Sequence, residues 1–123
     1  MKVLIDTHIL LWWLADDPHL PAPAAAIIAD ADTAVVVSAA TAWEIAIKKA
    51  AGRLDAPDDL LEALQANSFD TLAMTATHAV AAGALPHHHT DPFDRMLIAQ
   101  ALVEDLSLVT REDFRAYGLT TSW

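Results

Sequence analysis

The sequence predicts an α/β domain: a three-layer α/β/α sandwich with a mainly parallel central sheet of four or five strands. Two observations predict it. Short β-branched runs alternate with longer helical segments, the pattern of strands joined by crossover helices. Acids also recur at the apparent strand-to-helix junctions: Asp6 after KVLI, Glu44 after AVVVSAATAW, Asp94 in TDPFDRMLIAQAL, and Glu112-Asp113 after LSLVTR. Right-handed crossovers put the strand carboxyl ends on one edge of a parallel sheet, where ligands bind in such folds. The acids would then meet in one crevice.

The elements follow in order. Lys2–Ile5 reads as a short buried strand. Thr7–Ala15 reads as a helix, apolar on most sides and broken by Asp16-Asp17-Pro18. Ala24–Ala31 is a second helix, entered through Pro21 and Pro23. Ala34–Ser38 is β-branched and reads as a buried strand. Thr41–Ala51 is a helix stopped at Gly52, and Pro57–Ala66 another with Pro57 in its first turn. Phe69–Met74 is a strand. Thr75–Ala82 is a short helix capped by Thr75 and ended by Gly83. Leu85–Thr90 is a loop with three histidines, Pro92–Glu104 a strong helix and Leu106–Thr110 a strand. Leu119–Trp123 is a candidate edge strand. No repeat or interdomain linker interrupts this, so residues 1–123 are read as a single domain.

Composition narrows the classes. Without cysteine there are no disulfides and no thiolate metal sites, which suits a reducing cytoplasm. The run ILLWWLA is far short of the roughly 18–20 apolar residues that span a membrane. MKVLID lacks signal-peptide anatomy. The 54% hydrophobic content is high for a small domain and points to a partner covering part of it. A net charge of −10 argues against nucleic-acid binding when taken alone, since phosphates attract a basic footprint. Divalent cations bound among the acids would offset that charge. The few bases also sit beside the acids: Lys48 and Lys49 after Glu44, Arg95 after Asp94, and Arg111 before Glu112. The remaining acidity suits a basic protein partner.

Each acid has a structural reading beside the functional one. Asp6 is equally an N-cap and a metal ligand. Thr41-x-x-Glu44 has capping-box spacing, and Lys48 at i+4 is a ready ion-pair partner. Asp91 before Pro92 reads as an N-cap. Asp94 shares a helix face with Leu97, Ile98 and Ala101. An acid atop a buried apolar stripe is costly unless paired or metal-bound, so Asp94 leans to function. Glu112 and Asp113 are equivalent by spacing. Jointly, clustered carboxylates need cations, and Mg²⁺ or Mn²⁺ takes oxygen ligands. His87, His88 and His89 read as a solvated loop near the site rather than a zinc centre. His8 is a candidate substrate contact or a packed neighbour. Trp12, Trp13 and Trp43 read first as core or interface and second as base-stacking platforms.

DTHILLWWL, SAATAWEIAIK, HHTDPFDRMLIAQAL and LVTREDFRAYG together resemble PIN-domain proteins, above all the VapC-type ribonuclease toxins of toxin–antitoxin pairs. The resemblance runs through nearly the whole chain. It implies a PIN-like fold and a Mg²⁺- or Mn²⁺-dependent endoribonuclease. Asp6, Glu44 and Asp94 match the family's first three acids and would be the metal ligands. Glu112 and Asp113 both match the fourth. The expected chemistry is attack on an RNA phosphodiester by a water activated at the metal. Thr7 and Thr110 would hold carboxylates in place. Arg95 and Arg111 are either contacts to the RNA backbone or surface salt-bridge partners. The resemblance also implies a cognate antitoxin that lays a helix or tail near the site. A homodimer is expected from the apolar content and the run Ile9–Leu14, and no membrane is involved. Two alternatives remain from other classes: a receiver-like phosphoacceptor domain, and a catalytically silent binding module on the same fold.

Overall fold

The computed structural model describes residues 1–112. They form β1 (Lys2–Ile5), α1 (Thr7–Leu14), α2 (Ala22–Ala29), β2 (Ala34–Ser38), α3 (Ala39–Ala50), α4 (Leu60–Ala66), β3 (Asp70–Leu72), α5 (Ala76–Ala84), α6 (Pro92–Val103) and β4 (Ser107–Val109). The four strands make one sheet in the order β3-β2-β1-β4, and every pairing is parallel. The candidate edge strand Leu119–Trp123 lies outside the described residues.

Alternation along β1 builds the layers. Val3 and Ile5 point to one face and pack with Ile9, Leu10, Ile28, Ile45 and Leu64 from α1 to α4. Leu4 points to the other and packs with Leu97, Ile98 and Ala101 of α6. All three β1 side chains are fully buried, so the strand reads as an unbroken apolar run rather than an alternating one. The expected three-layer α/β/α sandwich is therefore present.

Connectivity places the crevice. From β1 the chain moves outward to β2 and β3, then returns to the opposite side of β1 as β4. The carboxyl ends of β1 and β4 thus flank the point where the direction of winding reverses, the usual ligand crevice of open α/β sheets. The Asp6 N–H donates to Val109 O at 3.1 Å and ties the two ends together.

Several boundaries differ from expectation for local reasons. α3 starts at Ala39 because the Ser38 hydroxyl accepts from Ala40 N at 3.0 Å. Thr41 is therefore inside the helix, and the Thr41–Glu44 capping box does not form. α4 starts at Leu60, capped by Asp59, whose carboxylate accepts from Glu62 N at 3.0 Å. Pro57 is outside it: its carbonyl and that of Ala56 each accept from Lys49 Nζ at 2.9 Å. Gly83 does not end α5, which continues to Ala84. Thr75 and Asp91 do cap α5 and α6. Within the run Ile9–Leu14, Ile9 and Leu10 are core, while Leu11 to Leu14 are half-buried.

Candidate active site

Asp6 follows β1 in extended conformation, and its Oδ1 accepts from Ile9 N at 2.9 Å. It is an N-cap, as one of its two readings required. The cap occupies Oδ1, and the residue is only 6% exposed. Burial pushes its carboxyl pKa up; the Thr110 hydroxyl, the Ile9 N–H and His8 pull it back down, while Glu112 adds to the rise.

Glu44 is equally buried, on α3. Its Oε1 accepts from the Thr7 hydroxyl at 2.6 Å, and its Oε2 from Lys48 Nζ at 2.6 Å. The Thr41 hydroxyl lies 3.3 Å from that of Thr7. Both carboxylate oxygens thus have donors, as a buried charge requires.

Asp94 sits in the first turn of α6, its N–H donating to Asp91 Oδ1 at 3.0 Å. Leu97, Ile98 and Ala101 below it are buried, as the stripe predicted. Its own side chain is half-buried, and its pKa is pushed up to about 7. Desolvation is the largest cause, followed by repulsion from Asp91, Asp6, Glu44 and Glu112. Acids from four separate stretches of chain therefore act on one carboxyl. Glu112 is exposed, and its N–H donates to the Thr110 hydroxyl at 3.0 Å. Asp113 lies outside the described residues. As they stand, no three His, Asp or Glu side chains among the described residues close tightly enough to hold an ion. The donor chemistry nevertheless fits a hard divalent cation: the candidate donors are carboxylate oxygens, and their charges repel one another.

Beside these acids lies a cleft of about 360 Å³ lined by Asp6, His8, Trp12, Arg111 and Glu112. The basic residues near it have distinct roles. Lys48 is taken by Glu44, and Lys49 by Ala56 O, Pro57 O and Asp58. Arg95 makes no ion pair among the described residues. Its guanidinium donates to four carbonyls, those of Ala82, Leu85, Pro86 and His89, and pins the loop between α5 and α6. The histidine loop is therefore tied down through its backbone. Trp13 is half-buried and donates to Asn67 Oδ1 at 3.0 Å. Trp43 is 56% exposed and packs edge-to-face with Phe93, the ring centres 5.5 Å apart.

One supporting network escaped the sequence. The Ser38 hydroxyl donates to Gln100 Oε1 at 2.5 Å, and Gln100 Nε2 lies 3.3 Å from His78 Nδ1. All three residues are buried. The available signal was Gln100, a lone amide three positions after Leu97 on the apolar face of α6.

The PIN domain family model matches residues 3–118. Ribonuclease VapC22 of Mycobacterium tuberculosis (strain ATCC 25618 / H37Rv) is 34% identical over 114 residues, covering 89% of this chain and 86% of that protein. Solved structures share the fold. VapBC2 from Rickettsia felis, bound to a DNA fragment from its promoter, superposes with a TM-score of 0.67 at 13% identity, covering 97% of this chain and 93% of that one. FitAcB from Neisseria gonorrhoeae superposes with a TM-score of 0.65 at 20% identity, covering 98% and 96%. A toxin–antitoxin complex from Klebsiella pneumoniae gives 0.64 at 19% identity, covering 89% and 86%.

Proposed function

Because the chain belongs to the PIN domain family and is related to a VapC ribonuclease, we propose that it is a metal-dependent endoribonuclease, the toxin of a toxin–antitoxin pair. The observation that carries this reading is Asp94. A half-buried carboxyl raised to about 7 by burial and four neighbouring acids is a site that calls for a cation.

Asp6, Asp94 and Glu44 are the proposed ligands of Mg²⁺ or Mn²⁺, with Glu112 or Asp113 as the fourth acid. When bound, the ion supplies acidity to a water and charge balance to the phosphate. The chain's own residues prepare the rest. Thr7 and Lys48 hold Glu44 in one orientation. The Ile9 N–H fixes one oxygen of Asp6, and Asp91 anchors the helix turn that presents Asp94. As a ligand Glu44 would have most to give up, since both its oxygens already accept, one from the Thr7 hydroxyl and one from the Lys48 ammonium.

The test is cleavage of RNA in Mg²⁺ or Mn²⁺. Asp6→Asn and Asp94→Asn should abolish it while leaving the fold intact. Asn variants as fast as the parent would refute the assignment.

The partners follow from the same reading. Proteins of this fold appear as toxin–antitoxin complexes, which supports an antitoxin that inhibits this chain. A homodimer acting in the cytoplasm completes the proposal. Among the described residues no helix is long and apolar enough to cross a membrane. Light scattering at tens of micromolar tests the dimer, and a monomer there would refute it. Co-expression with the product of the adjacent upstream frame should relieve toxicity and co-purify with the chain.

A further inference from the structure

The lining of the cleft is chemically mixed. Asp6 and Glu112 are acids, whereas His8, Trp12 and Arg111 offer rings and a cation. The Arg111 guanidinium carbon lies 5.4 Å from the centre of the Trp12 ring. The rings of His8 and His19 lie 5.8 and 6.1 Å from it, the latter stacked. His19 is fixed in turn by Asp17, whose carboxylate lies 2.7 Å from its Nδ1. Trp12 itself is half-buried, seated on the core beneath α1. Trp12 thus joins the His8 and His19 rings in an aromatic cluster, and Trp12 and His8 line the cleft together with Asp6.

Arg111 is distinguished by elimination. Among the described residues, the other bases near the candidate acids in sequence, Lys48, Lys49 and Arg95, are committed to carboxylates or carbonyls. Arg111 is exposed and makes no ion pair among the described residues. A chain of net charge −10 repels a polyanion almost everywhere, so a cation beside the acids that has no ion-pair partner among the described residues weighs heavily.

We infer that His8, Trp12 and Arg111 form a subsite for one unpaired nucleotide next to the cleaved phosphate, Arg111 contacting a phosphate and Trp12 stacking the base. The inference rests on the nuclease reading above. Stacking on an indole needs an exposed base face, so the subsite accepts single-stranded or looped RNA and rejects a continuous duplex. Stacking also tolerates any base, so this wall selects strandedness rather than sequence.

The experiment is cleavage of a fluorescein-labelled, random-sequence single-stranded oligoribonucleotide in Mn²⁺, with its paired duplex alongside. Arg111→Gln should raise KM on the order of tenfold with little change in kcat. It should also lower the slope of log KM against log salt by about 0.7, the value of one single-strand phosphate contact. Trp12→Ala should raise KM by roughly tenfold or more, and Trp12→Phe should recover most of that. Because Trp12 also packs on the core, the Phe variant and exposed Arg111 separate binding from folding. The Mn²⁺-induced rise in melting temperature should be unchanged in Arg111→Gln. If the parent cleaves and the variants keep its KM and salt slope, the subsite is refuted and the nuclease reading stands. Equal cleavage of the duplex also refutes it. No cleavage by the parent refutes both.

Discussion

Thr7, at the first turn of α1, donates its hydroxyl to Oε1 of Glu44 on α3 at 2.6 Å, across 37 residues of sequence. Both residues are only 6% exposed. The bond couples the helix after β1 to the helix after β2, so the position of one candidate ligand depends on the segment that carries another, Asp6.

Thr7→Val keeps the shape and removes the donor, leaving Glu44 Oε1 buried without that partner. The folded state should lose about 1–3 kcal/mol, read by urea denaturation. Cleavage should fall roughly 10- to 100-fold, the usual scale for a group that orients a metal ligand. Thr7→Ser restores the hydroxyl and should restore most of both. A Val variant with parental stability and rate would show that Glu44 needs no such support.

The raised pKa of Asp94 makes a signed statement about stability. Its folded value of about 7 exceeds the ordinary 3.8, so the folded state holds this proton more tightly than the unfolded chain does. The resulting stabilisation is fully present below about 3.8 and is lost as pH rises through about 7. Asp6 shifts in the same direction. Metal-free protein should therefore lose melting temperature on going from about pH 5 to pH 8, and Asp94→Asn should flatten that loss. An Asn variant with the parental pH profile would remove Asp94 as its source.

Much of this was legible in the sequence, for physical reasons that differ by residue. β1 and β2 are short, β-branched and buried, and their predicted bounds match. Asp91 could be recognised as a cap because Pro92 fixes the first helical turn. Asp94 could be singled out because the apolar stripe below it sets its direction. What escaped were tertiary commitments. Arg95 looks like any exposed base in sequence, and only the fold brings four carbonyls to it. Glu44 had a plausible capping box at Thr41, but Ser38 started the helix earlier and left Glu44 to Thr7 and Lys48.

Divalent metal should stabilise the folded chain, because mutually repelling carboxylates form a binding site only when folded. At 100-fold excess over the dissociation constant the gain is about 2.7 kcal/mol, a rise of several degrees in melting temperature. Asp94→Asn should abolish most of it. The rise should also shrink as pH falls below about 7, where Asp94 holds its proton against the ion. An unchanged melting temperature across millimolar Mg²⁺ and Mn²⁺ would count against the proposed site.

Arg95 separates a structural cation from a binding one. Its planar fork reaches Ala82 O and Leu85 O, at the end of α5, at 2.8 and 3.0 Å, and Pro86 O and His89 O at 3.0 and 3.2 Å. A guanidinium at a helix carboxyl terminus is favourable, and a lysine ammonium cannot reproduce the fork. Arg95→Ala should therefore cost about 2–3 kcal/mol of stability, with Arg95→Lys recovering less than half. Measured on folded protein, KM for RNA and its salt slope should stay parental, the reverse of the pattern expected for Arg111→Gln. If Arg95→Ala kept parental stability but raised KM and flattened the salt slope, the residue would be a phosphate contact. Its four carbonyl bonds would then be incidental to the fold.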